Sequence, residues 1–259
     1  LEKEQKYDEG FAAAVNIATA PVGQLIPPTT AFIVFSAAGG GASVAALFMG
    51  GWIPGLLWAA CCMVVAFFYA RKQGYVIKRD KLTAKIVGKT IWDAIPSLFL
   101  VVIIIGGILS GKFTPTEASG VAVAYAFILS VFIYRTIKLS EIPKLLVDAA
   151  VMTTIVMLII GASSVLSFVM SFTGLPAAIS KLVLGISSNK YVILLILNIF
   201  PSDRGETFMD MAPALLIFTP IFLPIVQSFG MSPIHFGVMM VMNLSVGTIT
   251  PPVGNVLFV

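Results

Sequence analysis

The sequence predicts an all-α integral membrane fold with broken helices and a re-entrant hairpin. Three observations carry that expectation. Mean hydropathy is +1.01, with 58% hydrophobic and only 11% charged residues, well outside the range of water-soluble globular domains. Long stretches carry no Asp, Glu, Lys or Arg: residues 10 to 70, 94 to 111, 118 to 134, 149 to 180, and everything after Asp210. A spanning helix needs about 20 apolar residues, so these stretches hold roughly seven or eight crossings or half-crossings. Finally, two segments share an unusual word, Val22-Gly23-Gln24-Leu25-Ile26-Pro27-Pro28-Thr29 and Val246-Gly247-Thr248-Ile249-Thr250-Pro251-Pro252-Val253.

Each proline pair removes two backbone donors and stops a helix inside an apolar run. Residues 1 to 42 are therefore expected to form a first broken helix, interrupted between Gly23 and Pro28. Residues 43 to 81 follow as a spanning helix and a basic loop. Seven of the sixteen Lys and Arg residues lie here and just beyond, at Arg71, Lys72, Lys78, Arg79, Lys81, Lys85 and Lys89. Positive charge accumulates in cytoplasmic loops, which places this one inside. Cys61 and Cys62 are adjacent within the apolar run, a spacing unsuited to a disulfide or a metal site, and read as buried small hydrophobes.

Residues 82 to 147 are expected to hold two spans, each preceded by a segment lying along the membrane surface. Lys85, Lys89, Trp92 and Asp93 alternate with Leu82, Ile86, Val87 and Ile91, which suits an interfacial helix over 82 to 95. A span from 94 to 112 then crosses outward to a turn at Thr114-Pro115-Thr116-Glu117. Thr116 is positioned to cap a helix starting at Glu117, whose carboxylate meets the positive end of the dipole. That helix returns to Arg135, Lys138 and Lys144, again inside, and 136 to 147 forms the second surface segment.

Residues 148 to 259 open with a span to about 171 that leaves Gly174, Pro176, Lys181 and Lys190 near the outer face. An apolar limb, Tyr191 to Phe200, then meets the polar tip Pro201-Ser202-Asp203-Arg204-Gly205-Glu206, and a second apolar limb runs from Met211 to Phe229. Limb, tip and limb read as a re-entrant hairpin, tolerated only against protein or water. A last span begins near 234 and ends at the second break.

These residues resemble a known family, the large membrane subunit of tripartite ATP-independent periplasmic (TRAP) transporters. The resemblance rests on Gly23-x-x-Ile26-Pro27-Pro28, Pro54-Gly55 after Leu47-Phe48, Thr114-Pro115-Thr116-Glu117-Ala118, Phe208-Met209-Asp210, Pro220-Ile221 with Leu223-Pro224, and Gly247-x-Ile249-Thr250-Pro251-Pro252-Val253-Gly254. It runs in order along essentially the whole chain, which is similar to the last three fifths of such a subunit. The chain starts at Leu1 rather than Met and stops shortly after the second Pro-Pro, so a fragment is expected, with the first hairpin preceding it. The resemblance implies inverted repeats, an elevator-type movement, two sodium sites, an organic-acid cargo, a small membrane subunit and a periplasmic substrate-binding protein. It also implies a multi-pass location in the bacterial inner membrane. The cargo that the resemblance implies is a C4-dicarboxylate, a sialic acid or another sugar acid. One departure stands out: family members carry an apolar stretch into the Gly before Phe-Met-Asp, whereas this chain has Pro201, Ser202, Asp203, Arg204 and Glu206. Either the sequence is locally altered or the tip lies in a wet cavity.

Breaking a helix at mid-depth strands carbonyls of one half and amides of the other, and paired breaks point to an ion and substrate site. Sodium suits oxygen ligands. The candidates are Gly23, Ile26, Pro27 and Thr29 at the first break, and Asn243, Ser245, Gly247, Thr250 and Pro251 at the second. Gly205 and Thr207, at the hairpin tip, join them by resemblance. A carboxylate cargo would meet amides after Pro28 and Thr29 or after Pro252. Asp210, the last carboxylate of the chain, reads as a ligand or as a cap for the following helix. His235, the sole His, reads as a capping or interfacial residue rather than a proton relay.

No nucleophile, base and orienter set is present, and no Gly-x-x-x-x-Gly-Lys-Ser/Thr, so an enzyme and an ATP-driven pump are both disfavoured. The net charge of +4 is explained by topology rather than by a nucleic-acid partner. The remaining alternative is an ion channel with Gly-x-x-x-Pro-Pro loops lining its pore.

Overall fold

The computed structural model describes residues 8–38, 41–74, 84–186, 189–200, 211–250 and 254–258. Among these residues there are ten α-helices and no strand. Five helices are long and apolar enough to cross a membrane, or six with one bent pair counted as a single span. The described residues fall into two compact units, one within 1–75 and 157–259 and the other within 76–156.

In the first unit, α1 (Glu9–Leu25) starts at Asp8, whose side chain accepts from the Phe11 amide at 3.1 Å. It stops at Leu25 because the next turn has no donors to continue it. After a four-residue break, Ile26 to Thr29, α2 (Thr30–Ala38) sets off at 49° to α1. Helix α3 (Val44–Gln73) is capped by Ser43 and ends at Gly74, whose φ of 67° is the left-handed stop that favours glycine. Arg71 and Lys72 lie in its last turn, favourably placed against the dipole.

Further along the same unit come α7 (Leu175–Ile186), α8 (Lys190–Phe200), α9 (Met211–Ser228) and α10 (Pro233–Gly247). In α9, 56% of the apolar window is buried, against 11% or less in the other candidate spans, so α9 is the central element. It packs against α2, α7 and α10. Apolar side chains of α3 such as Val65 and Phe67 point outward, as lipid-facing residues do.

The second unit contains α4 (Ala84–Leu109), α5 (Pro115–Ile128), a π turn (Leu129–Ile133), a 3₁₀ turn (Leu139–Glu141) and the start of α6 (Ile142–Phe172). Two expectations are corrected here. Residues 84 to 95 are not a separate surface helix; they run without a break into the span, because Pro96 costs one hydrogen bond but does not end the helix. From Ile142, the second surface segment likewise continues into α6. The outer turn is also capped differently: Thr114, not Thr116, is the cap, and the helix begins at Pro115, a residue suited to the first helical position. Thr114 Oγ1 accepts from the Glu117 amide at 3.3 Å, while Glu117 Oε2 accepts from the Thr114 amide at 2.8 Å, a reciprocal capping box.

A further correction concerns the burial expected of the two cysteines, which are free thiols. Cys61 is exposed and Cys62 half-buried, and both line an apolar cavity of about 650 Å³ between α1 and α3. Helix α7 was not foreseen from the sequence, where Gly174, Pro176, Lys181 and Lys190 were placed only near the outer face, although Leu175, Ile179, Leu182 and Ile186 already carry a helical period.

Candidate functional site

The first break rests on a glycine face. Gly51 and Gly55, one turn apart on α3, let the Leu25 to Thr29 segment approach closely: a Cβ on Gly51 would lie 2.4 Å from the Leu25 carbonyl oxygen, and one on Gly55 would lie 2.7 Å from Ile26 Cγ1. This is the small-xxx-small spacing that brings helices together in bilayers. Phe32 packs against Phe48 at 6.4 Å and Phe35 against Phe236 at 6.1 Å, and Gly237 leaves room for the Phe35 ring. Trp58 Nε1 donates to the Ala18 carbonyl at 3.0 Å, tying α1 to α3.

Sequence position alone explains which oxygens lose their partners. An α-helical carbonyl accepts from the amide four residues on, so Pro27 strips the donor for Gly23 and Pro28 strips the donor for Gln24. The last helical bond is Ile26 N–H to the Val22 carbonyl, at 2.9 Å. Among the described residues no hydrogen bond reaches the Gly23 or Gln24 carbonyl, and Gln24 Oε1 is buried without a partner. Three oxygen acceptors with no donor are thus gathered within one turn. Gln24 was missed in the sequence, where nothing marks a side chain as unpartnered. Thr29 is buried, and its Oγ1 accepts from the Ala31 amide at 3.2 Å, so it opens α2; Pro27 is buried and Pro28 exposed.

At the second break, α10 stops at Gly247 as the motif requires. Its carbonyls are better satisfied than the sequence implies. The Gly247 oxygen accepts from Thr250 N–H at 3.0 Å and the Thr248 oxygen from Val256 N–H at 3.2 Å. Ser245 Oγ and Thr250 Oγ1 each donate back along the helix, to the Val241 and Val246 carbonyls, both at 2.7 Å. Ser245 and Gly247 are buried, whereas Thr250 is exposed.

Asn243 joins this end of α10 to α8. Its Nδ2 donates to the Asn198 carbonyl at 2.5 Å, and Asn198 Nδ2 donates to the Leu194 carbonyl at 2.7 Å. The Asn198 carbonyl lies in the last turn of α8. Asn243 therefore ties the first hairpin limb to α10, one turn before the second break. Asn198 is the other residue that the sequence reading missed. His235 is exposed in the first turn of α10, behind the Ser232 cap. Gly205, Thr207, Asp210, Pro251 and Pro252 lie outside the described residues, as does the tip 201 to 206. No cluster of three or more His, Cys, Asp or Glu side chains suited to a metal ion occurs among the described residues.

An all-helical chain with several membrane-spanning helices, a helix pair bent at prolines, and oxygen acceptors gathered at the bend is of the class that handles ions or solutes within a bilayer. The chain belongs to the family described as "Tripartite ATP-independent periplasmic transporter, DctM component", whose model matches residues 1–259. It is 46% identical to the uncharacterised protein YgiK of Salmonella typhimurium, covering 100% of this chain and 59% of YgiK. It is 36% identical to the isethionate TRAP transporter permease protein DctMQ of Oleidesulfovibrio alaskensis, over 99% of this chain and 40% of that protein. With the sialic acid TRAP transporter large permease protein SiaM of Vibrio cholerae the identity is 35%, over 99% and 60%. The chain thus spans about three fifths or less of the length of these relatives. It is a multi-pass protein of the bacterial inner membrane, and the relatives with named activities are permeases, not enzymes.

Proposed function

We propose that this chain is part of the large membrane subunit of a sodium-coupled importer of an organic acid, working with a small membrane subunit and a periplasmic binding protein that delivers the cargo. One observation carries the sodium reading: the proline pair leaves the Gly23 and Gln24 carbonyls without helical donors, and Gln24 Oε1 is buried without a partner. A buried oxygen without a donor, such as Gln24 Oε1, costs free energy until a cation or water reaches it. Sodium, a hard cation, accepts that kind of ligand. The second site would use Gly247, Thr250 and Pro251, with Asn243 and Ser245 behind them.

The cargo is a small organic anion. Isethionate and sialic acid, named for two relatives, both carry a single acidic group. A C4-dicarboxylate or another sugar acid fits the same chemistry, since backbone amides at the start of a half-helix recognise carboxylate or sulfonate alike. Pro28 and Thr29, and Pro252 with Asp210, are the residues to which we assign its binding. The bent pair α1 and α2 acts as a broken span, and α8 with α9 as the re-entrant hairpin. These elements, lying in one compact unit, form the moving block of an elevator, while α4 and α5, lying in the other, belong to the static scaffold. The channel alternative draws no support from the relatives, which are named as permeases.

Uptake by the full-length complex in proteoliposomes tests this reading. Import of the acid should require an inward sodium gradient and the binding protein; uptake indifferent to sodium would overturn it. Gln24→Leu should raise the sodium concentration for half-maximal uptake about tenfold, because it removes one buried acceptor. Thr250→Ala should shift the same quantity while leaving the unfolding midpoint in place, since its hydroxyl is exposed and bonds only to its own helix.

A further inference from the structure

The second unit contains an arrangement that neither the ion nor the cargo explains. Pro96 lies inside α4 and has no amide, so the Trp92 carbonyl loses its helical donor. Tyr125 of α5 and Tyr134, just past the π turn that follows α5, converge on this part of α4. Tyr125 Oη donates to the Pro96 carbonyl at 3.0 Å, and Tyr134 Oη donates to the Asp93 carbonyl at 3.1 Å. Ser97 Oγ lies 3.2 Å from Tyr134 Oη; because the tyrosine proton is already committed to Asp93, Ser97 is the donor. Ser97, Tyr134 and Asp93 thus form a chain of bonds across the proline.

The backbone of α5 is built to allow this. Tyr125 and Tyr134 are nine residues apart, about two and a half turns of regular α-helix, which would put their rings on opposite faces. Between them the chain forms a π turn, Leu129–Ile133, closed by Tyr134 N–H to the Leu129 carbonyl at 2.7 Å. Its wider turn reduces that angular offset, so that both hydroxyls reach α4. Single π turns of this kind concentrate at functional positions. Arg135 then takes a φ of 51°, and the amide and hydroxyl of Thr136 bond back to the Ser130 carbonyl, which fixes the end of the turn.

We propose that α4 hinges at Pro96 and that Tyr134, supported by Tyr125 and Ser97, is the clasp that closes the hinge. On one side lie the turns from Ala84 to Ile95, with Lys85, Lys89, Trp92 and Asp93; on the other lies the apolar span. The missing amide lets these two parts change their angle, and the tyrosine hydroxyls hold the carbonyls nearest the proline in the closed form. The device depends on neither the identity of the cargo nor sodium coupling.

Hydrogen–deuterium exchange on the full-length permease in lipid nanodiscs tests it, reading the amides of Ser97 to Leu100. Tyr134→Phe keeps the ring and removes the hydroxyl; exchange at these amides should rise about fivefold. Pro96→Ala should slow exchange there, and adding Tyr134→Phe to Pro96→Ala should then change it little. That coupling separates a clasp from a packing residue. No change on Tyr134→Phe, or an equal rise with proline and with alanine at 96, would overturn the proposal.

Discussion

Gly51→Val is expected to unfold the first unit or displace its break, lowering the stability of the full-length permease by about 3 kcal/mol. The magnitude follows from what the new side chain meets. A Cβ on Gly51 lies 2.4 Å from the Leu25 carbonyl oxygen and 2.6 Å from a Phe32 ring carbon, and neither can retreat. Leu25 closes α1 and is fully buried, while Phe32 is fully buried against Phe48. Thermal unfolding in detergent reads the effect. Two other glycines calibrate it. Gly50→Ala meets the Val238 side chain at 3.0 Å and Ile234 at 3.8 Å and should cost less; Gly23→Ala meets nothing within 4 Å and should leave the midpoint in place. If Gly51→Val melted with wild type, the break would not be seated on α3.

The same close approach shows what was legible beforehand. Pro27, Pro28 and the apolar run around them announce an interruption, because proline acts through local covalent geometry that needs no tertiary context. Charge placement marked out the long helices for a similar reason: a stretch without Asp, Glu, Lys or Arg has few alternatives to a bilayer. Where the reading slipped, competing local options were close in energy. Thr114 and Thr116 both cap well, and only the reach of Glu117 back to the Thr114 amide selects the first. Residues 84 to 95 carry an interfacial pattern, yet they run into the span as one helix, because Pro96 costs a single hydrogen bond without ending α4. Gln24 and Asn198 were invisible for another reason. Whether a buried amide has a partner depends on what packs around it, and a single sequence carries no mark of that.

Asn243→Asp separates two roles that the sequence could not distinguish. As an ion ligand, Asn243 would act through Oδ1; a carboxylate would keep that oxygen, add charge and tighten sodium binding. The structure uses the other end of the amide. Nδ2 donates to the Asn198 carbonyl at 2.5 Å, holding the last turn of α8 against α10. Asp has no such donor, and its oxygen would face the Asn198 oxygen, so the expected result is a loss of about 2 kcal/mol or more. Amide exchange near the end of α8 should rise at the same time. Both effects should persist without sodium, because they come from the lost bond between α10 and α8 rather than from an emptied ion site. Sodium affinity should weaken only as far as the α8 limb loosens. Retained stability with tighter sodium binding would transfer Asn243 to the coordination sphere and leave the α8 terminus to be held by other groups.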